Sequence, residues 1–154
     1  MKFDNLDRKL LHLLQRDATR SLNEIADDIG LSRNACWRRA KALEEQGVIS
    51  SRVALLDPVK INLGLTVFIG IRTDHHTAEW VEKFRKAVQD ISEIIGVYRM
   101  AGDTDYILRA MVPDMKAYDR LYKRLIDKIE LSDVSSSFVM EEIKHTTALP
   151  LDYI

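Results

Sequence analysis

Gly30 and Ser32, one residue apart, leave this part of the chain few options. Apolar residues recur at helical spacing on both sides of them. Leu22, Ile25, Ala26 and Ile29 precede the pair, and Cys36, Ala40 and Leu43 follow it. A glycine just past an apolar stripe is the usual left-handed end of a helix. A serine just before another stripe is the usual start of one. The segment "GLS" is therefore a tight turn between two amphipathic helices, the sequence form of a helix-turn-helix.

A first helix is expected over residues 4–17. Asp4 is its cap, Asp7 lies in the first turn, and Leu6, Leu10, Leu13 and Leu14 form its stripe. Ser21 and Glu24 have the spacing of a capping box for the second helix. Gly47 stops the third. Periodicity alone does not separate a helix-turn-helix from a three-helix bundle without a ligand.

Residues 48–65 lose the helical period, are broken by Pro58, and read as a connector. From Leu65 onward strand and helix signals alternate. "TVFIGIRT" (66–73) is β-branched and apolar. Residues 76–91 carry Trp80, Phe84, Ala87, Val88 and Ile91 on one side. "IIGVYRMAG" and "DYILRAMV" flank the turn signal "GDT". Asp114 caps a helix running to about Lys128, and residues 132–146 read as a long last strand. The order βαββαβ is that of a ferredoxin-like split βαβ fold, a four-stranded antiparallel sheet with two helices on one face. The expected class is α+β. A helix-turn-helix (winged-helix-like) domain spans 1–50, a connector 51–65 and a ferredoxin-like domain 66–154.

Charge supplies the first functional signal. The formal net charge is −1, yet "SRNACWRRAK" (32–41) holds four basic side chains and no acidic one. Residues 1–65 carry 11 Lys/Arg against 9 Asp/Glu, and the remainder carries 12 against 15. On a helix, Cys36, Ala40 and Leu43 point inward, while Asn34, Trp37, Arg38 and Lys41 share the outward side. Arg33 sits in the first turn and Arg39 on the flank. Arg reads guanine edges, Asn reads adenine, and Lys or Arg holds phosphates. Basic side chains near a helix N-terminus oppose the macrodipole, so helix stability does not explain Arg33. The candidate DNA-binding residues are Ser32, Arg33, Asn34, Trp37, Arg38, Arg39 and Lys41. A solvated basic face is the plainer alternative. Trp37 either touches DNA or braces the connector.

Several classes are set aside. The lone Cys36 reads as a small buried residue, and the four histidines are scattered, so no metal site and no cofactor are expected. No apolar run approaches the roughly 20 residues of a membrane helix, and acids interrupt the N-terminus where a secretory signal would be apolar. A reducing cytoplasm is the expected location. A ferredoxin-like enzyme is a competing reading, but no spacing places a base on a nucleophile. A third reading is a metabolite sensor that acts through protein partners.

Over nearly its whole length the chain resembles one family. "LDRKLLHLLQRDATRSLNEIADDIGLSRNACWRRAKALEEQGVI" is very similar to the DNA-binding half of the Lrp/AsnC, or feast/famine, transcription regulators. "VALLDP", "NLGL", "MAGDTDYILRAMVPDM" and "SSFVMEEIKHTTALPL" match the second half. Within the family it is most similar to a bacterial branch with Cys36–Arg39 as "C-x-x-R" and Lys144–Pro150 as the ending. That branch responds to leucine, methionine, branched-chain amino acids or cysteine.

The resemblance implies a regulator binding double-stranded DNA, with no membrane partner and no catalysis. It implies homo-oligomers, dimers assembling into octamers, with an amino-acid effector bound between dimers. The implied effector residues are Arg99, Met100, Ala101, Gly102, Asp103, Thr104 and Asp105 around the second turn of the sheet. Ser135, Ser136, Ser137 and Phe138 of the last strand join them from a neighbouring subunit. Arg99 departs from the smaller or apolar residue usual there. Asp103 or Asp105 suits an ammonium, and serine hydroxyls or the backbone beside Gly102 suit a carboxylate.

Overall fold

A computed structural model describes residues 2–154. The chain divides into two compact units. One comprises the chain up to Leu55 together with Ile143–Ile154, and the other is Leu56–Glu142.

The first unit holds three helices, α1 (Asn5–Leu14), α2 (Leu22–Ile29) and α3 (Arg33–Glu45). Each begins at a side-chain cap that takes up an otherwise orphaned N–H. Asp4 accepts from Asp7 N at 2.8 Å while Asp7 accepts from Asp4 N, a reciprocal box built from two aspartates. Ser21 and Glu24 close the same box on α2. Ser32 caps α3 through Ala35 N at 3.2 Å. Gly30 ends α2 in the left-handed region at φ 71°, and Leu31 N returns to Ala26 O, which completes the tight turn. The helices bury Leu10, Leu14, Ile25, Ala26, Ile29, Cys36, Ala40 and Leu43. Leu11 is buried on α1, while Leu13 is only half-buried. Residues 50–57 form no regular element.

The second unit runs β1 (Leu65–Arg72), α4 (Ala78–Gln89), β2 (Ile94–Arg99), β3 (Tyr106–Val112), α5 (Met115–Lys128) and β4 (Asp133–Phe138). Its four strands are antiparallel in the order β2-β3-β1-β4. Val67, Ile69 and Ile71 of β1 face α4 and α5 and are fully buried with Leu108, Leu121 and Leu125. Trp80 stacks on Phe84 at 5.1 Å, with Tyr106 tilted against both. Phe68 and Gly70 of β1, and Ile107, Arg109 and Met111 of β3, take the opposite face.

Two expectations change. The last strand stops at Phe138 instead of near residue 146. Val67 is its final ladder partner on β1, Val139 N adds one bond to Thr66 O at 3.0 Å, and β1 begins at Leu65, so the later residues have no strand beside them. The tail then belongs with the first unit, not with a domain ending at 154. Gln15 holds it by a two-point clasp, Nε2 to Leu149 O at 3.0 Å and Leu149 N to Oε1 at 2.9 Å. Leu151 and Ile154 pack on the helical core.

Candidate nucleic-acid interface and effector site

α3 presents the residues expected on its outer side. Arg33, Asn34, Trp37, Arg38 and Lys41 are exposed, and Cys36 and Ala40 are buried. Burial raises the pKa of the Cys36 thiol, which keeps it protonated and unreactive. Arg33 and Arg38 enter none of the ion pairs found among the described residues. Lys41 Nζ lies 5.1 Å from the ring centroid of Trp37, a cation–π arrangement on the surface of α3. It also stands 3.8 Å from Glu45. Trp37 is 48% exposed. Ser32 is the helix cap, and its hydroxyl still has a proton to donate outward.

Arg39 is different. Its guanidinium is held 2.7 Å from Asp7 and 2.8 Å from Asp4. The Asp7 bond, then Asp4, raises its pKa further, so it is a fixed cation tying α3 to the start of α1. It leaves the outward group for that reason. The signal was present in the sequence: position 39 lies beside the inward residue 40, and the facing helix begins with two acids.

The implied effector residues of the second unit separate into three sets. Arg99 ends β2, an edge strand, and Met100, Ala101, Gly102 and Asp103 are exposed in the turn that follows, with Gly102 at φ 121°. Thr104 and Asp105 are half-buried. Asp105 works locally. Its Oδ2 accepts from Thr73 N at 2.8 Å, its N–H donates to Ile71 O, and its carbonyl accepts from Met100 N. One carboxylate oxygen is thereby used in fixing the turn to the end of β1.

On β4 the side chains alternate. Ser135 and Ser137 are exposed, opposite the helices. Ser136 and Phe138 face α5 instead. Ser136 hydrogen-bonds the Tyr118 hydroxyl, and Phe138 meets the Tyr118 ring edge-on at 5.0 Å. By the two-residue alternation of a strand they lie on the helix side of the sheet, away from Ser135 and Ser137. β2 and β4 are opposite edges of the sheet, so within one chain Arg99 lies across two strands from Ser135. Both Thr104 and Ser135 flank Gly70: a β-carbon there would stand 2.9 Å from Ser135 Oγ and 3.5 Å from Thr104 Cγ2. Gly70 escaped sequence reasoning, its signal being a glycine inside an otherwise β-branched strand. Among the described residues no group of His, Cys, Asp and Glu is placed to hold a metal ion, and no helix is long and apolar enough to cross a membrane.

Comparison with known proteins agrees with both halves of this geometry. The profile of the AsnC-type helix-turn-helix domain matches residues 3–44, and that of the Lrp/AsnC ligand binding domain matches residues 66–149. The DNA-binding transcriptional activator DecR of Escherichia coli is 51% identical over 150 residues, 97% of this chain and 99% of that protein. The crystal structure of an AsnC family transcriptional regulator from Agrobacterium tumefaciens is 55% identical, with a TM-score of 0.96 and 99% of each chain covered. That of a Neisseria meningitidis transcriptional regulator in complex with L-Met is 35% identical, with a TM-score of 0.94 and the same coverage. Two matched domains in the family's order, on a chain whose third helix turns its cations outward, place this protein in the Lrp/AsnC family of transcriptional regulators.

Proposed function

We propose that the protein is a sequence-specific DNA-binding regulator, not an enzyme, whose grip on DNA is set by an amino acid bound to its second unit. The observation that carries this is the outward face of α3, where Arg33, Asn34, Arg38 and Lys41 stand exposed directly after the Gly30–Ser32 turn. The α3 face enters the major groove, with Arg38 and Asn34 at base edges and Ser32, Arg33 and Lys41 on phosphates. The helical unit, residues 1–50 with the returning tail 143–154, takes DNA, and residues 66–142 take effector and assembly, in the cytoplasm.

Assembly has its own support. The sheet face opposite the helices carries Phe68, Ile107 and Met111, and the Nε of Arg109 is buried there without a hydrogen-bond partner. A second copy covers that apolar face and supplies the acceptor, giving dimers and higher sets such as octamers. Two α3 helices then address two half-sites. The L-Met complex of the Neisseria relative supports an amino acid as effector. An effector that binds one assembly better than another shifts the population, and DNA affinity follows.

The test is duplex binding to the protein's own promoter region across a salt series, with and without L-amino acids. Affinity is expected to fall steeply with salt and to change on addition of one amino acid. Absence of saturable binding at low salt would overturn the DNA reading. A DNA affinity and an assembly state unmoved by every amino acid would overturn the effector reading.

A further inference from the structure

The outward face of α3 carries one apolar ring among polar side chains. Trp37 lies one turn from Arg33 and Asn34 on one side and one turn from Lys41 on the other, with Arg38 beside it. All five are exposed. Trp37 belongs neither to the buried core of the helical unit nor to the partly buried residues that pack on it, which include Val48 and Ile49 just after α3. Its ring meets Lys41 at 5.1 Å, and Lys41 in turn reaches Glu45 at 3.8 Å, so a cation covers one face of the indole.

An indole has a large apolar area to bury. The base edges of a B-form major groove present hydrogen-bonding atoms and one apolar group, the C5 methyl of thymine. Arg33, Asn34, Arg38 and Lys41 suit the polar atoms; Trp37 suits the methyl. Phosphates are a poor partner for the ring, because it would displace their water without replacing the hydrogen bonds. Wedging between base pairs uses both faces of a ring, and Lys41 occupies one. Helical side chains lean toward the N-terminus of their helix, which carries the indole toward the end of α3 that meets base edges in a recognition helix.

We propose that Trp37 is a specificity-determining residue that packs its indole on the C5 methyl of one thymine in each half-site. This rests on α3 being the recognition helix, as argued above.

The experiment starts with the full-length protein selecting its preferred duplexes from a random pool. Each thymine of a selected duplex is then replaced by deoxyuridine, which keeps base pairing and removes only the methyl. At one position per half-site the replacement is expected to weaken wild type by about fourfold, the worth of one buried methyl. Trp37→Ala is expected to bind the unmodified duplex at least that much more weakly, to melt like wild type, and to lose nothing further at that uracil. A uracil penalty of equal size in Trp37→Ala would overturn the proposal. So would a uracil scan in which no position weakens wild type, a result that needs no variant to fold. If wild type selects no sequence, the recognition-helix reading falls and takes this one with it. If it selects sequences without a shared thymine, only the role of Trp37 falls.

Discussion

Arg39 reaches from the middle of α3 to the first turn of α1, placing its guanidinium 2.7 Å from the carboxylate of Asp7. One side chain of the recognition helix thus fixes the angle at which that helix is presented. Arg39→Ala is expected to lower the melting temperature by about 2–4 °C. Its loss of DNA affinity is expected to be similar on specific and random duplexes. Thermal unfolding alongside binding to both duplexes checks this.

Arg38 is expected to behave in the opposite manner. Arg38→Ala leaves melting unchanged and weakens specific binding by about 5- to 150-fold, with random duplex much less affected. Lys41→Ala is expected to weaken both duplexes alike and to reduce the salt slope by about one. Competition binding at several salt concentrations separates the two behaviours.

Trp37 and Trp80 allow an optical test of the α3 face. Trp80 is buried and its Nε1 donates to Glu130 O, whereas Trp37 is exposed beneath Lys41. In Trp80→Phe the emission comes from Trp37 alone and is expected to shift or quench on adding duplex. An emission spectrum unmoved at saturating duplex would remove Trp37 from the interface.

The helix caps carry a pH dependence. Asp4 is held below its ordinary pKa of 3.8, first by the Asp7 backbone N–H and then by Arg39. Glu24 is held below its ordinary 4.5 by the hydroxyl and N–H of Ser21. A carboxylate lowered by folding stabilises above its unfolded pKa, and that stabilisation is lost as pH falls through the folded value. The helical unit is therefore expected to keep it above pH 4.5 and lose it progressively below. Melting curves of wild type and Glu24→Gln are expected to converge as the pH drops through that range.

The caps were also the most legible part of the sequence, because a cap is a contact between residues three apart. Asp4, Ser21, Ser32 and Asp114 all stand where spacing put them. What escaped depends on partners distant in sequence. Nothing local in "VMEEIKHT" says that its pairing with β1 runs out after Val139, so the strand looked longer than it is. Arg39 looked like part of a basic run until the acids at the start of α1 were folded against it. Ser135 and Ser136 are identical letters with opposite tasks, and only the sheet's sidedness tells them apart.

Removing Leu151–Ile154 is expected to lower the stability of the helical unit by about 1–2 kcal/mol through lost apolar contact. Gln15→Ala, which opens the clasp on Leu149, is expected to cost less. Melting of the truncated and substituted proteins followed by helical circular dichroism measures both.

That returning tail bears on how such regulators can be recombined. A gene segment encoding only the first 55 residues leaves behind the last dozen that finish its helical core. Swapping DNA specificity between paralogues by a single crossover would join a reading head to a foreign closing tail. Specificity in this architecture is expected to drift by point substitution on α3 more readily than by exchange of whole cassettes.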